Sequence, residues 1–282
     1  MKKILVTGSQ GFVGKNLTPV LESLGYDLIK VGNSKLTNLT DWKSVEQLPK
    51  SDTIVHLAAK SFIPDSFNNP LNFYQNNINS TLNILEKARI DSSNIIFLST
   101  YVYGIPQYLP IDENHQRQPL NPYTQSKIIC EDLCEAYNRD FGVPVTIFRP
   151  FNIYGIGQSN NFFIPTILNQ LKQNKIQLQD PRPKRDFIYI GDVIEALVMA
   201  ISNIKSQFVI YNLGTSVSTS ISEVVELIQQ ILNKNIKIHY SNQMRQGEVL
   251  ETISNIDKIK ADLGWKPKFS LKDGLIKTVL KY

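Results

Sequence analysis

The run "KKILVTGSQGFVGKNLTPVLESLGY", Lys2 to Tyr26, constrains this chain more than any other stretch. An apolar run with strand character enters a turn carrying Gly8, Gly11 and Gly14, and an amphipathic helical pattern follows at once. Glycines at that spacing let an outside group reach the backbone. A helix N-terminus adds unpaired N–H donors and the positive end of its dipole. A pyrophosphate suits such a turn. An ordinary tight connection would explain the spacing alone, but the strand before it and the helix after it favour the anion site.

The same alternation repeats. "KKILVT" precedes a helix over 12–24, "DLIKV" a helix from about Asp41, and "TIVHLA" a helix over Pro70–Ala88. "NIIFLS" precedes a helix over Pro122–Asp140, and "VTIFR" closes the series. Asn121-Pro122 reads as an N-cap and first helical residue, and Gly142 as a helix end. Strands alternating with helices predict an α/β fold, a Rossmann-type doubly wound parallel sheet. Beyond Phe151 the rhythm loosens into a helix over Ile164–Gln173, a β-like "FIYI", a helix from Asp192 and a strand near "FVIYNLG". A helix over Ile221–Leu232, "NIKIHY" and a last helix over Leu271–Leu280 follow. The expected division is a dinucleotide-binding domain over 1–151, with 186–213 returning to it. A smaller α/β substrate-binding domain takes 152–185 and 214–282.

At 282 residues with 42% hydrophobic content, the chain can bury a sizeable core. Its net charge of +5 is spread over single lysines, with no basic block interleaved with aromatics, so nucleic acid is not an expected partner. Cys130 and Cys134, four residues apart, share one helix face, and with His56, His115 and His239 they make no metal-ligand spacing. No apolar run approaches the ~20 residues that span a bilayer. Only "ILV" separates Lys3 from Thr7, too little for a secretion signal, so neither a membrane nor export is expected and the cytoplasm is the expected compartment.

The glycine turn resembles the TGxxGFxG fingerprint of the extended short-chain dehydrogenase/reductase family. The pattern continues through "IVHLAA" (Ile54–Ala59), "FLSTYVYG" (Phe97–Gly104), "NPYTQSK" (Asn121–Lys127), "RPFNIYG" (Arg149–Gly155), "RDFIYIGDV" (Arg185–Val193) and "RQGEVLETISNIDKIKADLGWKPK" (Arg245–Lys268). These motifs cover nearly the whole chain in order and are similar to the nucleotide-sugar epimerase/reductase branch. The resemblance implies a homodimer that binds NAD or NADP and a nucleotide sugar. It puts the cofactor on Gly8, Ser9, Gln10, Gly11, Phe12, Val13 and Gly14, on Leu57, Ala58 and Ala59, and on Tyr123, Lys127 and Phe151. It puts the substrate on Ser61, Thr100, Asn152, Arg185 and Arg245, although each arginine has an acidic neighbour to pair with, such as Asp186 or Glu248. Asn77 is implied to be structural, His56 a packed strand-end residue, and Cys130 and Cys134 part of a helix near a dimer interface.

The implied catalytic residues are Ser99, Tyr123 and Lys127. Tyr123 and Lys127 are four apart, on one helical face. A tyrosine titrates near ~10, and an adjacent ammonium lowers that by roughly 1–3 units, so Lys127 is expected to bring Tyr123 toward proton transfer. Counting from "VYG" selects Ser99 over its neighbour Thr100 as the hydroxyl that bonds the reacting sugar oxygen.

Three departures shape the functional expectation. The position where NAD-preferring relatives carry an acid is Gly32, followed by Asn33, Ser34 and Lys35, a composition that suits NADP. Thr100 and Tyr101 replace the Asp-Glu pair of dehydrating relatives, which argues against a 4,6-dehydratase. The stretch before "TIVHL" is short, so the adenine pocket is expected around Asn38 and Leu39. The leading expectation is NADPH-dependent reduction of a 4-keto nucleotide sugar. A nucleotide-sugar 4-epimerase using NAD is the close alternative, and a non-catalytic dinucleotide-binding regulator the remote one.

Overall fold

The computed structural model describes residues 2–32, 37–203, 207–241, 243 and 248–280. In chain order the elements begin with β1 (Lys3–Thr7), α1 (Phe12–Ser23), β2 (Asp27–Val31), α2 (Trp42–Glu46), β3 (Thr53–His56), α3 (Ile63–Asn68) and α4 (Pro70–Asp91). Next come β4 (Asn94–Leu98), α5 (Pro122–Phe141), β5 (Val145–Pro150), β6 (Asn152–Tyr154), α6 (Phe163–Lys172), β7 (Ile176–Leu178) and β8 (Lys184–Tyr189). The last are α7 (Ile190–Ser202), β9 (Phe208–Leu213), β10 (Ser218–Ser220), α8 (Ile221–Ile231), β11 (Ile238–Tyr240), α9 (Asp257–Leu263) and α10 (Leu271–Val279). The chain divides into two compact units. One holds Met1–Val102, Arg117–Arg149 and Ile194–Tyr211; the other holds Tyr103–Gln116, Pro150–Val193 and Asn212–Tyr282.

The expected α/β architecture is present. A six-stranded sheet runs β2-β1-β3-β4-β5-β9, and the pairings from β2 to β5 are parallel. The order reverses beside β1. From β1 the chain moves outward to β2, then crosses to β3 on the other side, so Thr7 lies between Val31 and His56. In open sheets of this kind, ligands bind beyond the carboxyl ends of the strands at that reversal. Leu5, Ile54, Ile95, Phe97, Val145 and Ile147 of the sheet form one buried cluster with Ile84, Leu85 and Ala88 of α4 and Cys130 and Cys134 of α5. Burying one such aliphatic side chain contributes roughly 1.5–3 kcal/mol, so this layer fixes both helices against the strands.

Local signals set the ends of α5. Pro122 opens it, the Asn121 side chain accepts from the Thr124 N–H at 2.8 Å, and Gly142 closes it with φ +68°. The helix α4 opens on Asn69 and Pro70 in the same manner but runs to Asp91, beyond the expected Ala88. Helix α3 and the three-residue strands β6, β7 and β10 carry no sequence signal, because such short elements show no hydrophobic period.

The second unit contains the sheet β10-β8-β6 and the pair β11-β7. It is organised around buried carboxylates. Asp186 accepts from the N–H and hydroxyl of Thr215, the N–H of Ser216, and the N–H and hydroxyl of Ser254, at 2.6–3.1 Å. Burial nevertheless dominates and pushes its pKa up. Asp192 accepts from the Lys268 and Phe269 N–H groups, and its carbonyl accepts from the buried Trp265 indole.

Asn77, on α4, ties three parts of the first unit together. Its Oδ1 accepts from the Lys60 N–H at 2.8 Å, and its Nδ2 donates to the Lys60 carbonyl and to Ser126 Oγ on α5. We predict that Asn77→Ala, by leaving these partners unpaired, lowers unfolding free energy by roughly 2–4 kcal/mol in urea titration.

Candidate functional site

The glycine turn is shaped by contact with the end of β3. Gly8 has φ +66°, and a Cβ there would lie 2.8 Å from the Ala58 nitrogen. A Cβ at Gly14 would lie 2.3 Å from the Gly8 carbonyl oxygen. The Gly11 N–H donates to that oxygen at 2.9 Å, and Gly11, as N-cap of α1, offers no side chain to close the first helical turn. Side chains at positions 8 and 14 would run into the backbone of the turn itself and of the end of β3, so these glycines let the cradle close tightly on its own chain. A dinucleotide pyrophosphate suits the unpaired N–H donors that the start of α1 adds to this turn.

Gly32, at the end of β2, is closed by the same turn. A Cβ there would lie 2.6 Å from both Gln10 Cγ and Ser9 Oγ, and the Ser9 N–H donates to the Val31 carbonyl. No carboxylate-bearing side chain can stand at this position without moving the turn. The adjoining pocket is lined by Gly8, Val31, Gly32, Thr37, Asn38, Leu39, Thr40, Ala58, Asn76 and Ser80. Asn38 and Leu39, which the sequence reading assigns to an adenine pocket, are among these lining residues. Asn76 and Ser80 are additions, although their four-residue spacing on α4 marks one helical face. Asn33, Ser34, Lys35 and Arg245 lie outside the described residues.

Behind the cradle, hydrogen bonds run in one direction. Thr7 Oγ1 accepts from the Leu57 and Ala58 N–H groups, so its own proton goes to His56 Nδ1 at 2.7 Å. His56 therefore carries its proton on Nε2 and donates to Thr81 Oγ1, whose hydroxyl donates to the Asn77 carbonyl. Burial, helped by the Lys127 charge, lowers the His56 pKa to about 3. His56 is thus a neutral, packed strand-end residue.

At the end of β4 the structure separates the two adjacent hydroxyls. Ser99 is buried, and its Oγ donates at 2.5 Å to Oε1 of Glu131, which is itself paired with Arg149. Thr100 is half-buried, and its side chain is hydrogen-bonded with Tyr123. The sequence points to Ser99 as the hydroxyl beside Tyr123; in the structure Thr100 has that position. Both residues follow the end of β4 at Leu98, where the chain leaves the sheet.

Tyr123 and Lys127 are both buried on α5. Lys127 Nζ donates to the Leu98 carbonyl at 2.7 Å and lies 3.9 Å from the centre of the Phe97 ring. Burial lowers its pKa, while Cys130, Cys134 and Glu131 oppose that shift. The expectation that Lys127 makes Tyr123 titrate low is not met. Instead burial raises the Tyr123 pKa, against the lowering effect of the Thr100 hydrogen bond, so the phenol is protonated at neutral pH.

Leu57 and Ala59 flank Ala58 beside the turn, and Ser61, next to the Asn77-bound Lys60, is exposed. Phe12 and Val13 open α1. In the second unit, Phe151 is buried against Tyr103, with its N–H bonded to Leu213, and Asn152 begins β6 with an exposed side chain. Arg185 pairs with Glu248, the acidic neighbour that the sequence offers it. Glu131 and Arg149 are functional candidates that the sequence reading does not reach; the four-residue step from Lys127 to Glu131 is the available signal. Among the described residues no group of His, Cys, Asp and Glu could hold a metal, and no helix is long and apolar enough to cross a membrane.

Comparison with known proteins gives concordant matches. Residues 4–214 match the family described as "NAD dependent epimerase/dehydratase family". A Methanocaldococcus jannaschii protein with the provisional name UDP-glucose 4-epimerase is 34% identical, over 98% of this chain and 97% of its own. GDP-6-deoxy-D-mannose reductase of Pseudomonas aeruginosa is 31% identical, over 97% of this chain and 95% of its own. The structure of RMD from Pseudomonas aeruginosa complexed with NADPH superposes with a TM-score of 0.90 at 29% identity, covering 99% of this chain and 98% of its own.

The His56 environment predicts an acid-dependent loss of stability. An unfolded chain binds a proton at His56 below the ordinary histidine pKa of 6.5, whereas the folded chain does so only near 3. The stability that neutral His56 contributes is therefore complete above pH 6.5 and falls between 6.5 and 3, by roughly 1.4 kcal/mol per pH unit. Urea titrations at pH 7 and pH 4.5 measure this loss, and His56→Gln should show a smaller difference between the two.

Proposed function

The chain belongs to the NAD dependent epimerase/dehydratase family, and on that premise we propose that it is a nucleotide-sugar reductase. It reduces the C4 carbonyl of a 4-keto sugar, often 6-deoxy, carried on a nucleoside diphosphate, and uses NADPH. The observation that carries the cofactor choice is the pocket beside Gly32. Among its described lining residues there is no carboxylate to repel a 2′-phosphate, and the Ser9–Gln10 turn closes Gly32 to one. The relative named as a GDP-6-deoxy-sugar reductase and the NADPH-complexed neighbour support the same reading.

NADPH, when bound, supplies a hydride to the carbonyl carbon. The residues of this chain then have separable tasks. The cradle of Gly8, Gly11 and Gly14 holds the pyrophosphate. Tyr123, a protonated phenol whose pKa burial raises further, donates its proton to the carbonyl oxygen as that oxygen gains charge. Thr100 donates to the Tyr123 oxygen and holds the phenolate that remains. Lys127, fixed by the Leu98 carbonyl, keeps further N–H donors for a cofactor ribose and adds positive charge near Tyr123. Arg185 would exchange its Glu248 partner for the substrate diphosphate.

A 4-epimerase is the second reading, favoured by the relative that carries that name at 34% identity. The cofactor separates the two. A reductase must release oxidised cofactor and take up NADPH, whereas an epimerase regenerates what it holds. Denaturing the purified protein, identifying any released dinucleotide and titrating the emptied chain with NADPH and NADH is the test. Exchangeable binding that favours NADPH, with turnover of a 4-keto nucleotide sugar, is the expected result. Stoichiometric NAD that survives purification would overturn it in favour of the epimerase.

The hydroxyl assignment gives a second prediction. Thr100→Val should lower kcat by roughly 100-fold, whereas Ser99→Ala should lower it by less than about tenfold, as read from steady-state kinetics.

A further inference from the structure

Helix α5 presents Tyr123, Lys127 and Glu131 on one face, each four residues after the last. These three side chains engage three consecutive residues at the end of β4. Lys127 Nζ holds the Leu98 carbonyl, the Glu131 carboxylate holds the Ser99 hydroxyl, and Tyr123 meets Thr100. We infer that Glu131 is a positioning residue of the active site. By capturing Ser99 it fixes which face of the strand end turns toward Tyr123, and so presents Thr100 to the reacting oxygen.

The carboxylate is built for that task. Glu131 is 1% exposed and Arg149, from the neighbouring strand β5, is 3% exposed. Arg149 Nε donates to both carboxylate oxygens at 3.1 and 3.2 Å, and a terminal nitrogen donates to Oε2 at 2.6 Å. Arg117 lies 3.6 Å from Oε2 while pairing with Asp132. Oε1 therefore points at Ser99 in a fixed direction, since the arginine fork leaves the carboxylate no free rotation. A buried ion pair is often replaceable by apolar residues without loss of stability, so stability alone does not account for it. Its contact with Ser99, one residue from the Tyr123 partner, supplies a reason.

The proposal rests on Tyr123 being the proton donor, and its test is chosen to separate the two. The variants are Glu131→Gln, Ser99→Ala, their combination, and the charge-free pair Glu131→Leu with Arg149→Met. NADPH titration and thermal unfolding identify the variants that fold. The ionisation of Tyr123 is followed at 295 nm as the difference between each protein and its own Tyr123→Phe counterpart, which needs no substrate. Steady-state kinetics with a nucleotide sugar turned over by the unaltered enzyme give kcat and KM.

Release of Ser99 should loosen Thr100, weaken its hydrogen bond with Tyr123 and move the Tyr123 ionisation to higher pH. Glu131→Gln should lower kcat roughly three- to tenfold with KM and NADPH affinity nearly unchanged. The combination with Ser99→Ala should be no worse than the poorer single variant, because both cut one linkage. Folded variants with unaltered Tyr123 ionisation and kcat would overturn the inference and leave Glu131 a residue of the fold alone. Losses that multiply in the combination would overturn it as well. Should Glu131→Gln fail to fold, the charge-free pair is subject to the same readouts. Absence of turnover by the unaltered enzyme would count against the reductase, while the 295 nm titration would still decide the inference.

Discussion

The close approach of the Gly8 backbone to Ala58 is the constraint on which the first unit depends. The parallel sheet reverses order beside β1, so the ends of β1 and β3 lie side by side. The turn leaving β1 has no room for a side chain at Gly8 or Gly14. What makes this contact tolerable is polar as well as steric. The N–H groups of Leu57 and Ala58 are satisfied by the Thr7 hydroxyl, which passes its own proton to His56 and through it to Thr81 and α4. A buried imidazole held neutral by desolvation is thus the internal support of the closely packed turn.

The second support is α5. It contributes two residues to the hydrophobic cluster, Cys130 and Cys134, and these bury the helix so that Tyr123, Lys127 and Glu131 lie against the strand end. Burial then sets the electrostatics. It raises the Tyr123 pKa, lowers that of Lys127, and makes the Glu131 carboxylate a countercharge that favours the lysine cation. The same desolvation that holds the helix in place therefore moves the Tyr123 pKa further above neutral.

In the second unit, carboxylates do comparable work with backbone donors. Asp186 gathers the 215–216 turn and Ser254 around β8, and its neighbour Arg185 is paired with Glu248. Of these consecutive residues on β8, Asp186 is buried among backbone and hydroxyl donors, whereas Arg185 donates to the Lys184 carbonyl and pairs with Glu248.

The sequence by itself determined what local chemistry can encode. Glycine spacing after an apolar run marked the cradle, Asn121-Pro122 and Gly142 marked the ends of α5, and four-residue spacing marked the face shared by Tyr123 and Lys127. Only the tertiary structure decided which hydroxyl meets Tyr123. Counting back from "VYG" points to Ser99, but the choice is made by Glu131, thirty-two residues away in sequence, together with Arg149 on the next strand. The closing of Gly32 by Gln10 and the upward shift of the Tyr123 pKa were likewise invisible in the chain order. The physical reason is common to all three. Spacing fixes the face a residue occupies within its own element, whereas partner, clearance and desolvation arise from atoms that only the packed fold brings near.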